Sequence, residues 1–298
     1  MLWTPKSLLD WSAEYFSGKG IPTPRLDSEL LLAHVLGCQR IDLYLQYDRP
    51  LTPDELAAYR ALVRGRADRT PVAYLTGEVG FWNLTLRVGP GCLIPRPDTE
   101  SLVETVLEAM DGLREQGGTA RNPLLCVELG TGSGAIPLAV CSEREQVNWV
   151  GCEISPDAMV FAQANRKAHT SLLESRHNAL LLVRGDGLSA VSPAARPHII
   201  VSNPPYIPSG LLSTLEPEVS LAEPAVALDG GRDGLDFYRE LIPQARQRLA
   251  PGGRLILEIG ADQGPALREI VREEPELELL EIREDLGGKE RVVHATRH

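Results

Sequence analysis

From residue 124 to the C-terminus, short apolar runs alternate with segments whose apolar residues recur at helical spacing. The first run, Leu124–Leu129, is long enough for a buried strand and too short for a buried helix. Strands that alternate with helices predict a mostly parallel sheet with helices on both faces. We therefore predict an α/β domain over residues 98–298. Its other strands are expected at Trp149–Glu153, Leu180–Arg184, His198–Ser202, Arg254–Ile259, Leu277–Arg283 and Arg291–His294.

The first 75 residues carry helix-start signals instead. Thr-Pro pairs that begin at Thr4, Thr23 and Thr52 each place a hydroxyl at the N-cap and a proline in the first helical position. Apolar residues follow these starts at helical spacing, which predicts a small helical bundle over residues 1–75. Four arginines near its end form either a solvated face or a docking surface for a partner. They are Arg60, Arg64, Arg66 and Arg69.

Between these two regions, residues 76–97 have the pattern of a hairpin. Leu84, Leu86 and Val88 alternate with polar residues, as in a strand with one buried face. We expect this segment to be a β-hairpin linker between the helical bundle and the α/β domain.

The net charge of −11 is unevenly distributed. The first 75 residues hold equal numbers of basic and acidic side chains, so the whole negative excess lies on the rest of the chain. Proteins that bind a phosphate backbone usually present a basic surface, so we expect no direct contact with nucleic acid. We expect no membrane contact either, because no apolar run is long enough for a span and the N-terminus lacks a secretion signal.

Five cysteines, an odd number, occur without a CxxC pair. This pattern is typical of reduced thiols in a cytoplasmic protein. We therefore expect a cytoplasmic location and no metal site. We also expect a monomer, because no exposed apolar seam is evident in the sequence.

A glycine-rich loop follows the first predicted strand. Residues 128–135 read Glu-Leu-Gly-Thr-Gly-Ser-Gly-Ala, and glycines at this point let a ligand lie against the backbone at a helix N-terminus. The spacing G-x-G-x-x-A fits a dinucleotide-binding loop, whereas E-x-G-x-G-x-G fits the nucleoside-binding loop of S-adenosylmethionine-dependent methyltransferases. A glycine turn without a ligand is the third alternative. The candidate cofactor residues in the loop are Glu128, Gly130, Thr131, Gly132, Ser133 and Gly134.

Two acidic side chains follow the next two predicted strands. Glu153 ends the second strand, where a carboxylate can accept both hydroxyls of a ribose in either cofactor class. Asp186 follows the third strand and suits an adenine amino group, with Gly187 in the same pocket wall.

Asn203-Pro204-Pro205-Tyr206 directly follows the fourth predicted strand. The prolines fix φ at about −65° and remove two N–H donors, so the segment is stiff and rich in acceptors. The Asn203 side-chain oxygen and a nearby backbone carbonyl can each accept one N–H of a planar NH2 group, and Tyr206 offers a ring face. A plain proline turn is the alternative. Since nothing marks the hydride path of a dehydrogenase, the combination favours methyl transfer.

With these motifs in place, the chain resembles the glutamine N5-methyltransferases that modify class I peptide chain release factors. The resemblance covers nearly the whole chain, and its most specific part is the Ile-Pro-Arg-Pro-Asp-Thr-Glu run at residues 94–100. Its other segments are residues 71–77, 81–82, 128–135, 203–206, 223–228, 252–253, 258–260 and 285–291.

The resemblance implies a Rossmann-like class I methyltransferase domain, a helical N-terminal domain that helps dock the release factor, and S-adenosyl-L-methionine as the cofactor. The implied acceptor is the side-chain amide of the glutamine in the Gly-Gly-Gln motif. Asn203 and Pro204 are expected to accept its two N–H groups and to aim the nitrogen lone pair at the methyl group. Pro205 and Tyr206 are expected to complete the substrate contact.

Three positions depart from the family pattern. Relatives usually have Asp where this chain has Glu128 and Glu153, and glutamate keeps the charge but adds one methylene. Cofactor binding is expected to persist with altered geometry. Gly187 stands where relatives often have a bulky side chain. Phe81 and the segment Arg96–Glu100 are expected to line the cofactor cleft, with hairpin and helix-cap structure as the alternative for each residue.

Two other functions are compatible with the motifs. An adenine-N6 DNA or RNA methyltransferase meets the same planar NH2 group with the same kind of loop, but the acidic charge counts against it. A non-catalytic module could keep the pocket as a scaffold for a release factor or ribosome. The intact glycine loop and Asn203 count against that alternative.

Overall fold

The computed structural model describes residues 2–115, 123–285 and 287–298, and these residues form two units. The first unit takes in the chain up to Glu78 together with an inserted segment, Glu216–Ala222. The second unit contains the remaining described residues. Residues 79–97, which form most of the predicted linker, therefore belong to the second unit. The helical unit also recruits a segment from far along the chain.

The first unit is helical, as predicted. The hydroxyl of Thr52 accepts the N–H of Glu55 at 3.3 Å, and the Glu55 carboxylate accepts the Thr52 N–H at 2.8 Å. Thr4 caps its helix in the same reciprocal way, with Ser7 as partner. Thr23 occupies the N-cap position but donates its hydroxyl to a carboxylate instead. The helices are α1 (Pro5–Gly18), α2 (Pro24–Leu36), α3 (Arg40–Leu45), α4 (Pro53–Ala67) and α5 (Val72–Thr76).

Arg66 lies inside this unit and not on its surface. Its guanidinium contacts Asp27 and Glu218, each at 2.7 Å, and none of the three side chains is more than 11% exposed. Arg69 adds an ion pair to the same glutamate at 3.1 Å. The other two arginines of the predicted cluster are exposed. The four arginines therefore form neither a single solvated face nor a single docking surface.

A hairpin opens the second unit. It consists of β1 (Glu78–Phe81) and β2 (Leu84–Arg87), joined by a two-residue turn in which Trp82 has a φ of 54°. Strand alternation turns Phe81 and Leu86 inward, where neither is more than 2% exposed. The hairpin is thereby packed into the core of this unit.

The rest of the second unit alternates between strands and helices, as predicted. Its strands are β3 (Leu124–Leu129), β4 (Val147–Glu153), β5 (Ala179–Arg184), β6 (Ile199–Ser202), β7 (Arg254–Glu258), β8 (Leu277–Glu284) and β9 (Glu290–Arg297). The later helices of the chain are α6 (Glu100–Glu115), α7 (Ala135–Glu143), α8 (Pro156–Ala168), α9 (Thr170–Ser175), α10 (Pro217–Ser220, in the inserted segment), α11 (Asp236–Arg248) and α12 (Gly264–Arg272). No helix in the described ranges is both long and apolar enough to cross a lipid bilayer.

The seven strands form one sheet in the order β5-β4-β3-β6-β7-β9-β8. The first five of these are parallel, and β9 pairs antiparallel with both β7 and β8. The chain proceeds from β3 to one edge through β4 and β5, then returns to the other side of β3 with β6. Such a reversal of strand order opens a crevice at the carboxyl ends of the strands. The α/β prediction is confirmed.

Alternate residues of the central strand face opposite layers of the core. Cys126 packs in a cluster that includes α6 and α7, whereas Val127 packs in one that includes α11 and α12. Full burial of a side chain such as Val127 stabilises the fold by about 1.5–3 kcal/mol. The sheet is thus covered on both faces, and its strand ends are held in fixed positions.

Candidate active site

A cavity of about 250 Å³ opens at the carboxyl ends of β3, β4 and β6. These strands end in register, because Leu129 of β3 lies beside Cys152 of β4 and Ser202 of β6. The residues that follow each strand therefore meet at one edge of the sheet. This is the crevice expected from the reversal of strand order, and both Glu153 and Asn203 line it.

The glycine loop presents backbone to the cavity. Gly130, Gly132 and Gly134 have φ values of 69°, 58° and 80°, a conformation that favours glycine. A Cβ on Gly130 would meet no atom within 4 Å, and one on Gly132 would meet only a backbone oxygen at 4.0 Å. A ligand can therefore lie directly against the loop. Of the six predicted loop residues, all but Gly134 line the cavity, and Gly134 occupies the N-cap of α7.

Asn165 of α8 ties the loop to the hairpin. Its Nδ2 donates to the carbonyls of Ser133 and Arg87 at 2.8 and 2.9 Å, and its Oδ1 accepts the Arg87 N–H at 2.7 Å. The side chain is fully buried. No sequence pattern marks this residue, yet it fixes the position of the glycine loop.

Glu153 holds the other side of the loop. Its Oε2 accepts the N–H of Gly132 at 2.8 Å, and its Oε1 accepts the N–H of Ser155 at 2.8 Å. Each carboxylate oxygen has a further lone pair. Glu153 can therefore hold the loop and still accept ribose hydroxyls, which fits its predicted role.

Glu128 lines the cavity and is 1% exposed. Its Oε2 accepts the hydroxyl of Thr131, whereas Oε1 has no hydrogen-bond partner among the described residues. Burial raises the pKa of Glu128 to about 8; the Thr131 hydrogen bond opposes this rise, and the nearby Glu153 carboxylate adds to it. The thiol of Cys152 is buried beside these two carboxylates, and its pKa is raised to about 11.

Asp186 and Gly187 line the cavity after β5, at the start of a 3-10 helix, Gly187–Ala190. Asp186 is exposed, so its carboxylate is accessible to a ligand. Gly187 has a φ of 50°, and a Cβ there would meet no atom within 4 Å. The wall is therefore open at Gly187, and the predicted adenine contact depends on Asp186.

The charge of the cavity indicates what it can hold. Three carboxylates line it, and no Lys, Arg or His is found among the described residues of its wall. A nucleoside that carries ammonium and sulfonium charges, as S-adenosylmethionine does, fits this set of acceptors. A dinucleotide would bring the negative charge of its pyrophosphate into the same space, which disfavours that alternative.

Asn203, Pro204 and Pro205 line the same cavity. Nδ2 of Asn203 donates to Oγ1 of Thr99 at 3.1 Å. Within the described part of the chain, no group donates to Asn203 Oδ1 or to the Pro204 carbonyl oxygen. Both predicted acceptors are therefore available to a substrate.

Tyr206 is not among the residues that line the cavity. Its hydroxyl donates to Oε1 of Glu258 at 3.4 Å, and its carbonyl accepts Nε2 of Gln263 at 3.0 Å. Glu258 ends β7 and is 1% exposed. Burial raises its pKa to about 7, although hydrogen bonds from the hydroxyls of Thr99 and Tyr206 lower it. Burial also raises the pKa of Tyr206. Tyr206 thus anchors the segment Asn203–Tyr206, the acceptor loop, to the neighbouring strand β7.

Two predicted cofactor residues lie away from the cavity wall. Phe81 packs in the core beside α6 and α7, because strand alternation in the hairpin turns it inward. Arg96 forms an ion pair with buried Glu223, whose carboxylate also accepts the N–H of Ile94 at 3.1 Å. Neither Phe81 nor Arg96 is placed in the cleft. Between Phe81 and Glu100, the residues that do line it are Gly91, Leu93, Pro95 and Thr99.

Besides Asn165, sequence reasoning missed the structural contacts of three side chains that hold the site, namely Thr99, Glu223 and Glu258. Each lies in a segment that carried the family resemblance; Thr99 was expected only as part of the cleft lining, and Glu223 and Glu258 had no assigned role. One signal was available: Glu258 follows the apolar run Leu255–Leu257, as an isolated acid at the carboxyl edge of a parallel sheet. Thr99 has no comparable signal.

Residues 7–77 match the family model of the PrmC N-terminal domain. The release factor glutamine methyltransferase of Geobacter sulfurreducens is 41% identical over 88% of this chain and 86% of its own length. That of Rhodospirillum rubrum is 41% identical over 97% of this chain and 84% of its own length. A solved release factor-specific protein-(glutamine-N5) methyltransferase from Alicyclobacillus acidocaldarius is 26% identical, with a TM-score of 0.41, and the match covers 71% of this chain and 99% of that one.

Proposed function

The chain belongs to the release factor glutamine methyltransferase family, and on that basis we propose that it methylates N5 of the glutamine in the Gly-Gly-Gln motif of class I peptide chain release factors. Family membership confirms the predicted class I methyltransferase fold and S-adenosylmethionine as the cofactor. The acceptor glutamine and the residues that bind it are parts of the proposal.

One observation carries the proposed acceptor. Asn203 and Pro204 both line the cavity, and neither Asn203 Oδ1 nor the Pro204 carbonyl oxygen has a donor within the described part of the chain. A primary amide has two N–H groups on one planar nitrogen, so two fixed acceptors match it. The glycine loop lines the same cavity. The methyl donor and the amide nitrogen would therefore meet there.

Positioning is the chemistry that these acceptors can supply. An amide nitrogen is a poor nucleophile because its lone pair is delocalised, and its proton is too weakly acidic for removal at neutral pH. S-adenosylmethionine supplies an electrophilic sulfonium methyl group when it is bound against the glycine loop. Asn203 and Pro204 accept the two N–H groups and hold the lone pair toward that methyl group. Orientation of this kind can contribute roughly 7–11 kcal/mol.

The proton leaves after the nitrogen has gained the methyl group, when it is acidic, so no residue has to remove it first. A neutral side chain at position 203 suits this order of events. An aspartate there would place a buried anion beside the reacting nitrogen at a high desolvation cost. Tyr206 does not line the cavity, so we propose that it holds the Asn203–Tyr206 segment in place through Glu258 instead of packing its ring on the amide plane.

The helical unit is proposed to dock the release factor. Arg60 and Arg64 are exposed on α4 and remain candidates for that contact, whereas Arg66 is occupied by carboxylates within the unit. We further propose that the protein works as a cytoplasmic monomer without direct nucleic-acid contact. The buried, unbridged thiols of Cys126 and Cys141 are consistent with a reducing compartment.

A methyl-transfer assay tests the acceptor. The protein is incubated with methyl-labelled S-adenosylmethionine and, in separate reactions, a class I release factor, its Gly-Gly-Ala variant, double-stranded DNA and ribosomal protein. Mass spectrometry locates the label. We expect one methyl group on the glutamine of the Gly-Gly-Gln motif and none on the Gly-Gly-Ala variant.

Label on DNA alone would overturn the proposal in favour of an adenine-N6 methyltransferase. Label on ribosomal protein alone would move the acceptor to another glutamine. No label anywhere, with cofactor binding intact, would indicate a binding module without transfer activity.

A further inference from the structure

Glu128 differs from the other buried carboxylate of the cavity in how it is satisfied. Glu153 accepts two backbone N–H groups, one on each oxygen. Glu128 accepts the Thr131 hydroxyl, and the nearby Trp149 side chain also opposes the rise of its pKa, but its Oε1 has no partner within hydrogen-bond distance in the described ranges although the residue is 1% exposed. An ionised carboxylate in such a place loses its hydration without gaining a countercharge.

Among the described residues, no cationic side chain lines the cavity beside Glu128. β4, on one side, contributes Trp149, Cys152 and the Glu153 carboxylate, whose charge opposes ionisation of Glu128. β6, on the other side, places the apolar Val201 opposite it. The other acidic residue in the described lining of the cavity is Asp186, which is exposed. In the empty cavity the neutral carboxyl form of Glu128 is therefore favoured near neutral pH.

A cationic ligand in the cavity favours the ionised form of Glu128 instead of the neutral one. Its charge compensates an ionised carboxylate in a region that water does not screen. We propose that cofactor loading is coupled to proton release: Glu128 holds a proton in the empty protein and loses it when a cationic nucleoside enters the cavity. The O–H bond of the carboxyl group breaks, its electron pair stays on the carboxylate, and the proton passes to the solvent.

The inference rests on the proposed use of this cavity for S-adenosylmethionine and not on the identity of the acceptor. Because one proton is exchanged for one positive charge, affinity for the cation should rise with pH below about pH 8 and level off above it. A neutral nucleoside that occupies the nucleoside part of the cavity brings no charge, so it should bind without releasing the proton.

Isothermal titration calorimetry in two buffers of different ionisation enthalpy measures the protons released on binding. The ligands are S-adenosylmethionine and the neutral nucleoside 5′-methylthioadenosine, each titrated at pH 7 into the wild type and into Glu128→Gln. For the wild type we expect about 0.9 proton more to be released with S-adenosylmethionine than with the neutral nucleoside. Glu128→Gln keeps an oxygen for Thr131 but has no proton to release, so this difference should disappear. Any proton exchange that the variant still shows comes from the ligand or from other groups and can be subtracted.

Equal proton release with both ligands in the wild type would overturn the inference even if the variant did not fold. Retention of the difference in Glu128→Gln would overturn it as well, because another group would be the source. If the wild type failed to bind S-adenosylmethionine at all, the assignment of the cavity would fail together with the inference. Binding with no proton release would leave that assignment standing and refute the inference alone.

Discussion

Nδ2 of Asn203 donates to Oγ1 of Thr99 at 3.1 Å, and this bond sets the direction of the Asn203 side chain. Thr99 is 3% exposed and ends the 3-10 helix Pro97–Thr99 that leads into α6, so its position is fixed by the fold. An amide that donates through its nitrogen on one side presents its oxygen on the other. The bond therefore leaves Oδ1 for the substrate.

Replacement of Asn203 should separate turnover from cofactor binding. Asn203→Ala removes one of the two acceptors for the substrate amide, and loss of one oriented polar group in an active site costs about 10²–10³ in kcat. Cofactor affinity should change little, because the glycine loop and Glu153 remain. Initial rates with a release factor and calorimetric titration of S-adenosylmethionine check the two quantities separately. An equal loss of binding and turnover would show that Asn203 does not act on the acceptor.

Thr99 provides a matched pair of variants for the same bond. Thr99→Ser keeps the oxygen that accepts from Asn203 and should retain most activity. Thr99→Val removes that oxygen and frees the amide to rotate, so turnover should fall by roughly tenfold, the value of one hydrogen bond. Similar rates for the two variants would mean that Thr99 does not orient Asn203.

Gly230 should be intolerant of a side chain because of the acceptor loop. A Cβ at this position would lie 2.8 Å from both the Pro205 carbonyl oxygen and the Tyr206 Cα. Gly230→Ala must therefore displace the loop, and a shift of about 1 Å can cost 10²-fold in rate. Gly210→Ala is the control, since a Cβ there meets nothing within 4 Å. If both variants methylate a release factor at the wild-type rate, the loop does not need the observed geometry.

Much of the fold follows from local sequence. Leu124–Leu129 is a strand over the residues predicted, because an apolar run is bounded by a proline and a glycine. β9 is longer than predicted, Glu290–Arg297 instead of Arg291–His294, because pairing with strands on both sides extends it through polar residues. No local sequence pattern indicated that Glu216–Ala222 would belong to the helical unit. That placement depends on an ion pair between Arg66 and Glu218, which are far apart in the sequence.

The candidate site also contains residues that could be placed from the sequence and residues that could not. Glu153 and Asn203 could be placed because parallel strands bring their carboxyl ends to one edge of the sheet. Thr99 and Glu258 could not, since their contacts with the acceptor loop join distant segments. Arg96 was assigned to the cleft by resemblance, but a buried carboxylate needs a cation nearby, and the partner of Arg96 is Glu223.

The buried ion pairs of Arg66 should dominate the stability of the helical unit. Arg66→Ala leaves Asp27 and Glu218 buried without their main countercharge, which typically costs about 3–5 kcal/mol in the free energy of unfolding. Arg64→Ala, on the exposed side of the same helix, should change it by less than about 0.5 kcal/mol. Urea denaturation followed by circular dichroism measures both. Equal losses in the two variants would contradict the role of the buried pairs.

Glu258 should make stability depend on pH. Burial raises its pKa in the folded protein to about 7 from the ordinary 4.5, so the folded state binds this proton more tightly than the unfolded state. The stabilisation is fully present below about pH 4.5 and is lost as the pH rises through about 7. Four neighbouring groups also act on this carboxyl: Arg291 and the hydroxyls of Thr99 and Tyr206 favour its ionisation, whereas the charge of Asp98 opposes it.

Glu258→Gln cannot ionise and keeps an oxygen for the Tyr206 hydroxyl. The melting temperature of this variant should be close to that of the wild type at pH 5 and several degrees higher at pH 8. At pH 8 the unfolded wild type is ionised at Glu258, and folding must either bury that charge or take up a proton. Differential scanning fluorimetry across pH 5–8.5 measures the difference. The variant-to-wild-type comparison cancels the titration of all other groups, so a difference that stays constant over this range would show that Glu258 is ionised in the folded protein throughout.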